Sequence, residues 1–222
     1  MPRAELVEGE VYHIYNRGVE KRLIFLDDND YWRFMTLLIL LQGDTTTDQI
    51  GRAVFSVKHR MFDKAVFRGV VESRSVEVIA FCLMPNHFHL ILKEIRDGGI
   101  SKFMQRLLNA YTKYFNAKYN RSGHLFEGKF KSAHVDSDEY LDYLSAYVHL
   151  NPRGLKGFNG REVKYTWSSF QDFVFENRCG EFLTPDIILE KFKDGGAYEK
   201  FVVTMPIKKP HGEPDDDLLI DY

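Results

Sequence analysis

The chain has 222 residues, of which 44% are apolar and 28% are charged, and its net charge is −2. These values are ordinary for a globular protein and exclude wholesale disorder or a uniformly basic surface. No apolar run could cross a bilayer, the N-terminus lacks a secretory signal, and the two cysteines have no disulfide spacing. We therefore expect a cytoplasmic protein with reduced thiols and no membrane partner.

The first third of the chain contains a strand and a helix. A β-rich run at 11–15 stops at an Asn-Arg-Gly turn and predicts the first strand. Acids at 27–30 supply an N-cap and favourable first-turn charges for a helix over roughly 30–42. The segment 44–75 stays unassigned, because its mixed basic and apolar pattern fits either a helix or an inserted excursion.

The middle of the chain predicts a β-hairpin followed by a helix. Runs at 76–83 and 87–92 indicate two strands, which a Met-Pro-Asn break separates. A helix led by Ser101 follows and extends to about Tyr119. Its expected apolar stripe is Phe103, Leu107, Ala110 and Tyr114.

A last strand over roughly 129–135 and a last helix complete the pattern. Ser137 caps this helix, which runs to Leu150 and ends at Asn151-Pro152. Without it, the order is βαββαβ, the split-βαβ order of a ferredoxin-like fold on an antiparallel sheet.

These elements predict an α+β protein with a ferredoxin-like core. We expect the domain to cover residues 1–175, with 44–75 as a possible insertion. Residues 176–222 then form a C-terminal extension with an acidic tail.

Charge is unevenly distributed along the chain. The segment 101–131 has seven basic residues and one acid, whereas 211–222 has five acids and no lysine or arginine. This asymmetry fits a local surface for polyanions, although a solvated helix face would produce the same pattern. If the polyanion is a nucleic acid, the candidate binding residues are Lys102, Arg106, Lys113, Lys118, Arg121, Lys129 and Lys131. The interleaved Tyr111, Tyr114, Phe115 and Tyr119 could stack bases, although the alternative is that at least half of them are core residues.

Two histidines in the second hairpin strand are the first candidates for chemistry. Residues i and i+2 share a strand face, so His87 and His89 project together while Phe88 points into the opposite layer. Two imidazoles on one face suit a divalent transition ion or, with an oxygen ligand, Mg²⁺ or Mn²⁺. A bare His-x-His is also common as a structural pair, so the motif alone leaves the metal site open.

A tyrosine and an asparagine near the end of the last helix are the second candidates. Residues i and i+4 share a helix face, so Tyr147 and Asn151 look the same way. Beside two imidazoles, Asn151 could complete a metal site while Tyr147 acts as a nucleophile on a phosphate. Alternatively, Tyr147 is one more amphipathic aromatic in a tyrosine-rich helix.

Several segments, in order, resemble one family. MPNHFHLI at 84–91 and YVHLNP at 147–152 resemble the single-tyrosine HUH transposases. Within these, the chain is most similar to the REP-associated tyrosine transposases, which are close to the IS200/IS605 transposases. Supporting matches are 12–18, 123–130 and 167–169, so the resemblance covers roughly residues 8–175.

The resemblance implies that a tyrosine cleaves single-stranded DNA, leaving a 5′-phosphotyrosine and a free 3′-OH. By position, His87 and His89 match the metal-binding pair, Tyr147 matches the nucleophile, and Asn151 matches the residue that completes the Mg²⁺ or Mn²⁺ site. The remaining helix tyrosines do not match the nucleophile; these are Tyr111, Tyr114, Tyr119, Tyr140 and Tyr143. We expect structural roles for His13, His124, His134 and His149.

We therefore expect a metal-dependent transposase or endonuclease that cleaves and rejoins single-stranded or hairpin DNA, as a monomer or a homodimer. The alternative is a domesticated hairpin-binding protein with little or no transposition activity. An amidohydrolase-type metal hydrolase also begins with His-x-His, but its barrel requires about 250 residues of alternating βα units. Conjugative relaxases place the motifs in a different order.

Overall fold

The computed structural model describes residues 5–45, 50–59 and 64–206, so the acidic tail lies outside the described residues. The predicted order of strands and helices is confirmed, and the part of 44–75 that is described is helical. In chain order the elements are β1 (Val11–Arg17), α1 (Asp28–Leu40), α2 (Ile50–Lys58), α3 (Lys64–Glu72), β2 (Val76–Met84), β3 (His87–Glu94), α4 (Gly99–Lys118), β4 (Lys131–Val135), α5 (Asp138–Leu150), α6 (Phe170–Val174), α7 (Asp186–Leu189) and α8 (Gly195–Thr204).

The four strands form one antiparallel sheet in the order β2-β3-β1-β4, which confirms the ferredoxin-like core. One face packs on α1 and α4, and buried residues such as Ile14 and Phe88 belong to this layer. The other face packs on α5 and on the C-terminal helices, and Ile91 and Tyr147 belong to that layer. Side chains alternate between the faces along each strand, so every second residue of β1 and β3 points toward α5.

The segment after α5 is integrated into the same cores. Tyr198 and Val202 of α8 are fully buried in the layer under α5, whereas Cys179 and Leu183 pack in the layer of α1 and α4. Residues on both sides of position 175 thus share the same cores, and the division of the chain at this residue stays a prediction. Among the described residues, no helix has both the length and the apolar character needed to span a membrane.

The Trp-Ser-Ser segment covers the outer edge of β2. The backbone N–H of Leu83 donates to the Trp167 carbonyl at 2.8 Å, and that of Ser169 donates to the Phe81 carbonyl at 3.0 Å. The Trp167 ring also stacks on Tyr31, with centroids 4.5 Å apart. This motif therefore satisfies a strand edge that would otherwise be exposed.

The start of α4 differs from the prediction. The helix begins at Gly99 after Gly98, which is in a left-handed conformation and has no capping side chain. The buried carboxylate of Glu94 caps the N-terminus of α4 instead, because its Oε2 accepts a hydrogen bond from the N–H of Ile100 at 2.7 Å. Ser101 thus lies inside the first turn instead of capping it, and a carboxylate at a helix N-terminus is favourable for the dipole.

The buried stripe of α4 is also rotated from the predicted one. Ala110 and Tyr114 are only half-buried, whereas Tyr111 and Phe115 are almost completely inaccessible. Tyr111 donates its hydroxyl to the carbonyl of Ile24 inside the core. Tyr111 and Phe115 are therefore core residues and not base-stacking candidates, which confirms the alternative that at least half of the four aromatic residues belong to the core. The buried residues of the stripe are Phe103, Met104, Leu107, Tyr111 and Phe115.

A buried acid ties α1 to the end of α4. Asp30 is inaccessible to solvent, and its carboxylate accepts hydrogen bonds from Tyr114 at 3.0 Å and Tyr119 at 2.8 Å. Lys118 lies 2.7 Å from the carboxylates of both Asp30 and Asp27. Although desolvation opposes it, hydrogen bonding to these acids raises the pKa of Lys118. The charge of Lys118 therefore compensates a carboxylate of the core.

We predict that Lys118→Ala lowers the free energy of unfolding by about 3 kcal/mol, because it leaves the buried Asp30 carboxylate without its cation. Urea unfolding at pH 7 measures this change. Lys113→Ala is the matched control, since Lys113 is an exposed lysine on the same helix and its removal should change stability by less than about 0.5 kcal/mol. Equal, small effects of the two variants would contradict a core role for Lys118.

Candidate active site at β3 and α5

The pairing of β1 with β3 gathers aromatic side chains on the sheet face toward α5. Tyr15 lies directly opposite His89, and His13 lies opposite Ile91, one diagonal step from His89. The ring centroid of His89 is 5.2 Å from that of His13, 6.1 Å from that of Tyr15 and 5.0 Å from that of His87. Four aromatic rings from two central strands thus form one cluster.

The histidine pair lines a narrow cleft at the end of this cluster. His87 and His89 face the same cleft, as the strand period predicts, while the intervening Phe88 is fully buried in the opposite layer. The cavity volume is about 20 Å³, enough for one small ion or one water molecule. The residues that line it are Tyr15, Asn16, Arg17, His87, Phe88, His89, Glu127 and Lys131.

Asn86 in the β2–β3 turn orients His87. Its Oδ1 lies 2.6 Å from Nδ1 of His87, and its Nδ2 donates to the Lys21 carbonyl at 3.2 Å. An amide oxygen only accepts hydrogen bonds, so Nδ1 of His87 carries the proton and Nε2 keeps its lone pair. The turn itself is held because Ile24 donates its N–H to the Pro85 carbonyl at 2.8 Å. The Pro-Asn turn thus selects the tautomer of His87.

His13, for which the sequence predicts a structural role, lies beside His89 in the site. Its Nε2 lies 3.0 Å from Nδ1 of His89, and both rings are buried. Burial lowers the pKa of His13 to about 3. Burial, together with the neighbouring His87 and His13, also holds the pKa of His89 well below its usual value. Both rings are therefore neutral at physiological pH, and neutral imidazoles are the form that binds metal ions.

Sequence patterns predict a structural role for His13 but do not place it beside the histidine pair, where the structure shows it. The i, i+2 spacing of His13 and Tyr15 was a visible signal that both share a face of β1. What the sequence could not provide is the partner of β1, which is β3 over 70 residues later. Only that pairing brings His13 to His89.

Tyr147 reaches the same cluster from α5. Its ring is perpendicular to that of His89, with centroids 5.6 Å apart, and its centroid is 6.2 Å from that of His13. Asn151 lies one turn later, and its Nδ2 donates to the Tyr147 carbonyl at 2.9 Å. This bond engages the amide nitrogen of Asn151, so its ligand role through Oδ1 stays a prediction. One chain therefore brings the histidine pair and Tyr147 together.

His149 and His134 have the structural roles that were expected. His149 is fully buried on the side of α5 away from the cluster, where its Nδ1 and Nε2 bond to the hydroxyls of Tyr198 at 2.7 Å and Ser169 at 2.8 Å. Burial lowers the pKa of His149 to about 3. His134 lies in β4 and pairs with Glu10 at 2.7 Å.

The histidine pair by itself offers two nitrogen ligands to a metal ion. Across residues 5–45, 50–59 and 64–206, no group of three or more His, Cys, Asp or Glu side chains is arranged to hold a metal. The amide oxygen of Asn151 is a ligand type that Mg²⁺ and Mn²⁺ accept, and His87 has its Nε2 lone pair available. Two imidazoles and an amide oxygen are thus a chemically suitable set for a divalent ion, and His87, His89 and Asn151 stay predictions as its ligands.

A larger groove adjoins the cleft. It has a volume of about 760 Å³ and lies between α4 and the segment 123–130. Apolar side chains such as Phe126 and Phe130 line it together with polar ones such as Gln105 and Asn109. Segment 127–131 contributes to both cavities, since Lys129 borders the groove while Lys131 borders the cleft.

Two of the motif segments are bonded to each other beside the cleft. Arg17 pairs with Glu127 at 3.0 Å, and the backbone N–H of Glu127 donates to the Arg17 carbonyl at 2.9 Å. Asn16 donates through Nδ2 to the Gly128 carbonyl at 3.1 Å. The Asn-Arg-Gly turn therefore anchors the segment that separates cleft from groove.

The predicted DNA-binding cations occupy different environments. Lys102 pairs with Asp44 at 2.9 Å, and Arg106 donates to the Gly43 carbonyl at 2.8 Å. Arg121 donates to Asn116 at 2.8 Å, and Lys118 compensates Asp30 as described above. Lys113, Lys129 and Lys131 are exposed, and the ammonium of Lys131 lies 5.5 Å from the Tyr15 ring centroid.

Comparisons with known proteins agree with this architecture. A family model described as "Transposase IS200 like" matches residues 49–151, a range that contains His87, His89, Tyr147 and Asn151. No curated protein matches the chain. A solved structure of a REP-associated tyrosine transposase bound to a REP hairpin is similar over 84% of this chain and 92% of that chain, with 15% identity and a TM-score of 0.52, so the two share a fold. Over residues 49–151 the chain is thus similar to the IS200-like transposases.

Proposed function

We propose that this protein is a metal-dependent transposase that cleaves and rejoins single-stranded, hairpin-associated DNA through a 5′-phosphotyrosine on Tyr147. The observation that carries the proposal is the approach of the Tyr147 ring to His89, at 5.6 Å between centroids, beside the cleft that both histidines line. The match of residues 49–151 to the model described as "Transposase IS200 like" supports the reaction class. The hairpin bound by the structural neighbour supports the kind of substrate.

In the proposed reaction, the phenolic oxygen of Tyr147 attacks the scissile phosphorus. The bond from phosphorus to the 3′ oxygen breaks, that oxygen takes up a proton as the phenol loses one, and the 5′ phosphate stays on Tyr147. A bound Mg²⁺ or Mn²⁺ would neutralise phosphate charge and favour the phenolate, since a phenol is a poor nucleophile at neutral pH. The covalent ester conserves the bond energy, so a 3′-OH can attack it and rejoin the strand.

The proposed ligands of the ion are Nε2 of His87, His89 and the amide oxygen of Asn151. Asn86 holds the first ring at 2.6 Å, so its nitrogen is aimed before the ion arrives. Such preorganisation is favourable because the ligands need not be ordered at the moment of binding.

The groove beside the cleft suits an unpaired strand. Its apolar floor can accept base faces, its amides can bond base edges, and Lys129 can neutralise phosphates. Lys131 borders the cleft itself and therefore lies where the scissile phosphate would enter. We propose that single-stranded DNA follows this groove from Lys129 toward Lys131 and Tyr147.

Tyr147→Phe should abolish the covalent adduct with single-stranded hairpin DNA in Mg²⁺ or Mn²⁺, because the ring alone has no nucleophilic oxygen. DNA affinity should stay within a few-fold, since only one oxygen is lost. A denaturing gel with labelled DNA measures the adduct. Tyr140→Phe and Tyr143→Phe, on the same helix, are matched controls that should retain it.

An adduct with Tyr147→Phe would identify another nucleophile. A wild-type protein that binds hairpin DNA but forms no adduct with either ion would instead support the alternative, a domesticated hairpin-binding protein.

We further predict that the catalytic unit is one chain. Because Tyr147 and His89 meet within a single chain, a mixture of His87→Ala and Tyr147→Phe should remain inactive in the cleavage assay. Mixing each variant with the wild type should leave wild-type cleavage in place, which excludes inhibition by the variants. Restored cleavage in the mixture of variants would show that two chains share the site.

Lys129→Ala should make binding to single-stranded DNA less sensitive to salt. Removing one phosphate contact reduces the slope of log K against log salt by about 0.7 for single strands. Titrations by fluorescence anisotropy at several salt concentrations measure this slope. Lys200→Ala on α8, an exposed lysine outside the groove, should leave it unchanged. Identical slopes for both variants would remove the groove from the proposed DNA path.

A further inference from the structure

Each histidine of the pair has its own hydrogen-bonding partner behind the cleft. For His87 the partner is Asn86, at 2.6 Å from Nδ1. For His89 the partner is His13, whose Nε2 lies 3.0 Å from Nδ1 of His89. In both cases the nitrogen engaged behind the cleft is Nδ1, and the nitrogen at the tip of the ring is Nε2. Both histidines are thus held through the same ring nitrogen, although Asn86 lies in the β2–β3 turn and His13 lies in β1.

The direction of the His13–His89 bond follows from the chemistry of imidazole. A neutral imidazole has one protonated and one unprotonated nitrogen, and a hydrogen bond between two rings needs one of each. If Nε2 of His89 binds a cation, the proton of His89 is on Nδ1. Nδ1–H must then donate to Nε2 of His13, and the proton of His13 is on its other nitrogen.

The position of His13 is rigidly determined. It lies in the middle of β1, between two paired strands, and is 0% exposed. Its ring is nearly parallel to that of His89, at 17°, and its edge meets the ring of Tyr147 at 80°. A ring held in this way restricts the rotation of His89 and supports the ring of Tyr147.

We propose that His13 is a positioning residue, which accepts the Nδ1–H of His89 and thereby fixes the tautomer and ring plane that aim Nε2 of His89 at the metal site. This inference rests on the proposed function, because it takes His89 as a ligand of the divalent ion. His13 itself does not bind the ion. Partners that orient metal-ligating histidines are usually carboxylates, carbonyls or water.

A neutral ring as the orienting group has a chemical consequence. A carboxylate behind His89 would add negative charge to the site and raise the basicity of the ligand, whereas an imidazole orients it without adding charge. With an amide as third ligand, the proposed set is uncharged, so a bound ion keeps its full charge for the phosphate. This property suits a site whose substrate is a phosphodiester anion.

The test compares metal binding rather than activity alone. His13→Phe keeps an aromatic ring in the same place but has no acceptor, and it should weaken Mn²⁺ binding to the metal-free protein by 10- to 100-fold, as measured by titration calorimetry. His13→Gln, which retains an acceptor oxygen, should recover part of this affinity. Binding of hairpin DNA in EDTA should not change, and saturating Mn²⁺ should restore cleavage by His13→Phe.

Two control variants separate the possible outcomes. His149→Phe alters another fully buried histidine and should lower stability without changing Mn²⁺ affinity. His89→Ala should abolish Mn²⁺ binding. If His89→Ala binds Mn²⁺ like the wild type, the proposed metal site is wrong. If His89→Ala loses binding while His13→Phe retains it, only the role of His13 is overturned.

A measurement on the unaltered protein keeps the proposal falsifiable even if His13→Phe does not fold. Nitrogen-15 NMR of histidine-labelled protein with Mg²⁺ reports which ring nitrogen carries each proton. We expect the proton of His89 on Nδ1 and an unprotonated Nε2 in His13, with scalar coupling between these two nitrogens. A proton on Nε2 of His89 in the Mg²⁺-bound protein would overturn the inference.

Discussion

The antiparallel pairing of β1 with β3 is the constraint on which the rest of this site depends. It places Tyr15 opposite His89 and brings His13 within 3.0 Å of that ring. The register is set from the other face of the sheet, where Ile14 and Phe88 are completely buried. A slip of one residue would turn every side chain of a strand to the opposite face. The apolar core therefore determines the geometry of the polar cluster.

Turns at one end of the sheet extend this constraint to the first histidine. Asn86 bonds both to His87 and to the carbonyl of Lys21, so the loop after β1 and the turn before β3 hold one another. Arg17 and Asn16 anchor the segment after α4 by the same strategy. The walls of the cleft therefore cannot move without breaking these hydrogen bonds.

The local density of basic residues in the sequence does not by itself identify the cations that are accessible to a bound anion. Lys118 lies within the most basic segment of the chain, yet its ammonium neutralises the buried Asp30. Lys129 and Lys131 come from the same segment but border the groove and the cleft. The difference follows from burial: a cation beside a buried carboxylate stabilises the fold, whereas an exposed cation beside a cavity remains accessible to an anion.

The sequence by itself determined the order of the elements, the ferredoxin-like class and the shared face of His87 and His89. These properties follow from short-range physics: hydrophobic period, capping and turn chemistry act within a few residues along the chain. Tertiary structure alone decided that His13 contacts His89, that Glu94 caps α4 and that Tyr111 and Phe115 are core residues. The first depends on which strands pair, and the last on the rotation of α4 against the sheet. Both are set by packing between residues distant in the chain, which a local pattern does not encode.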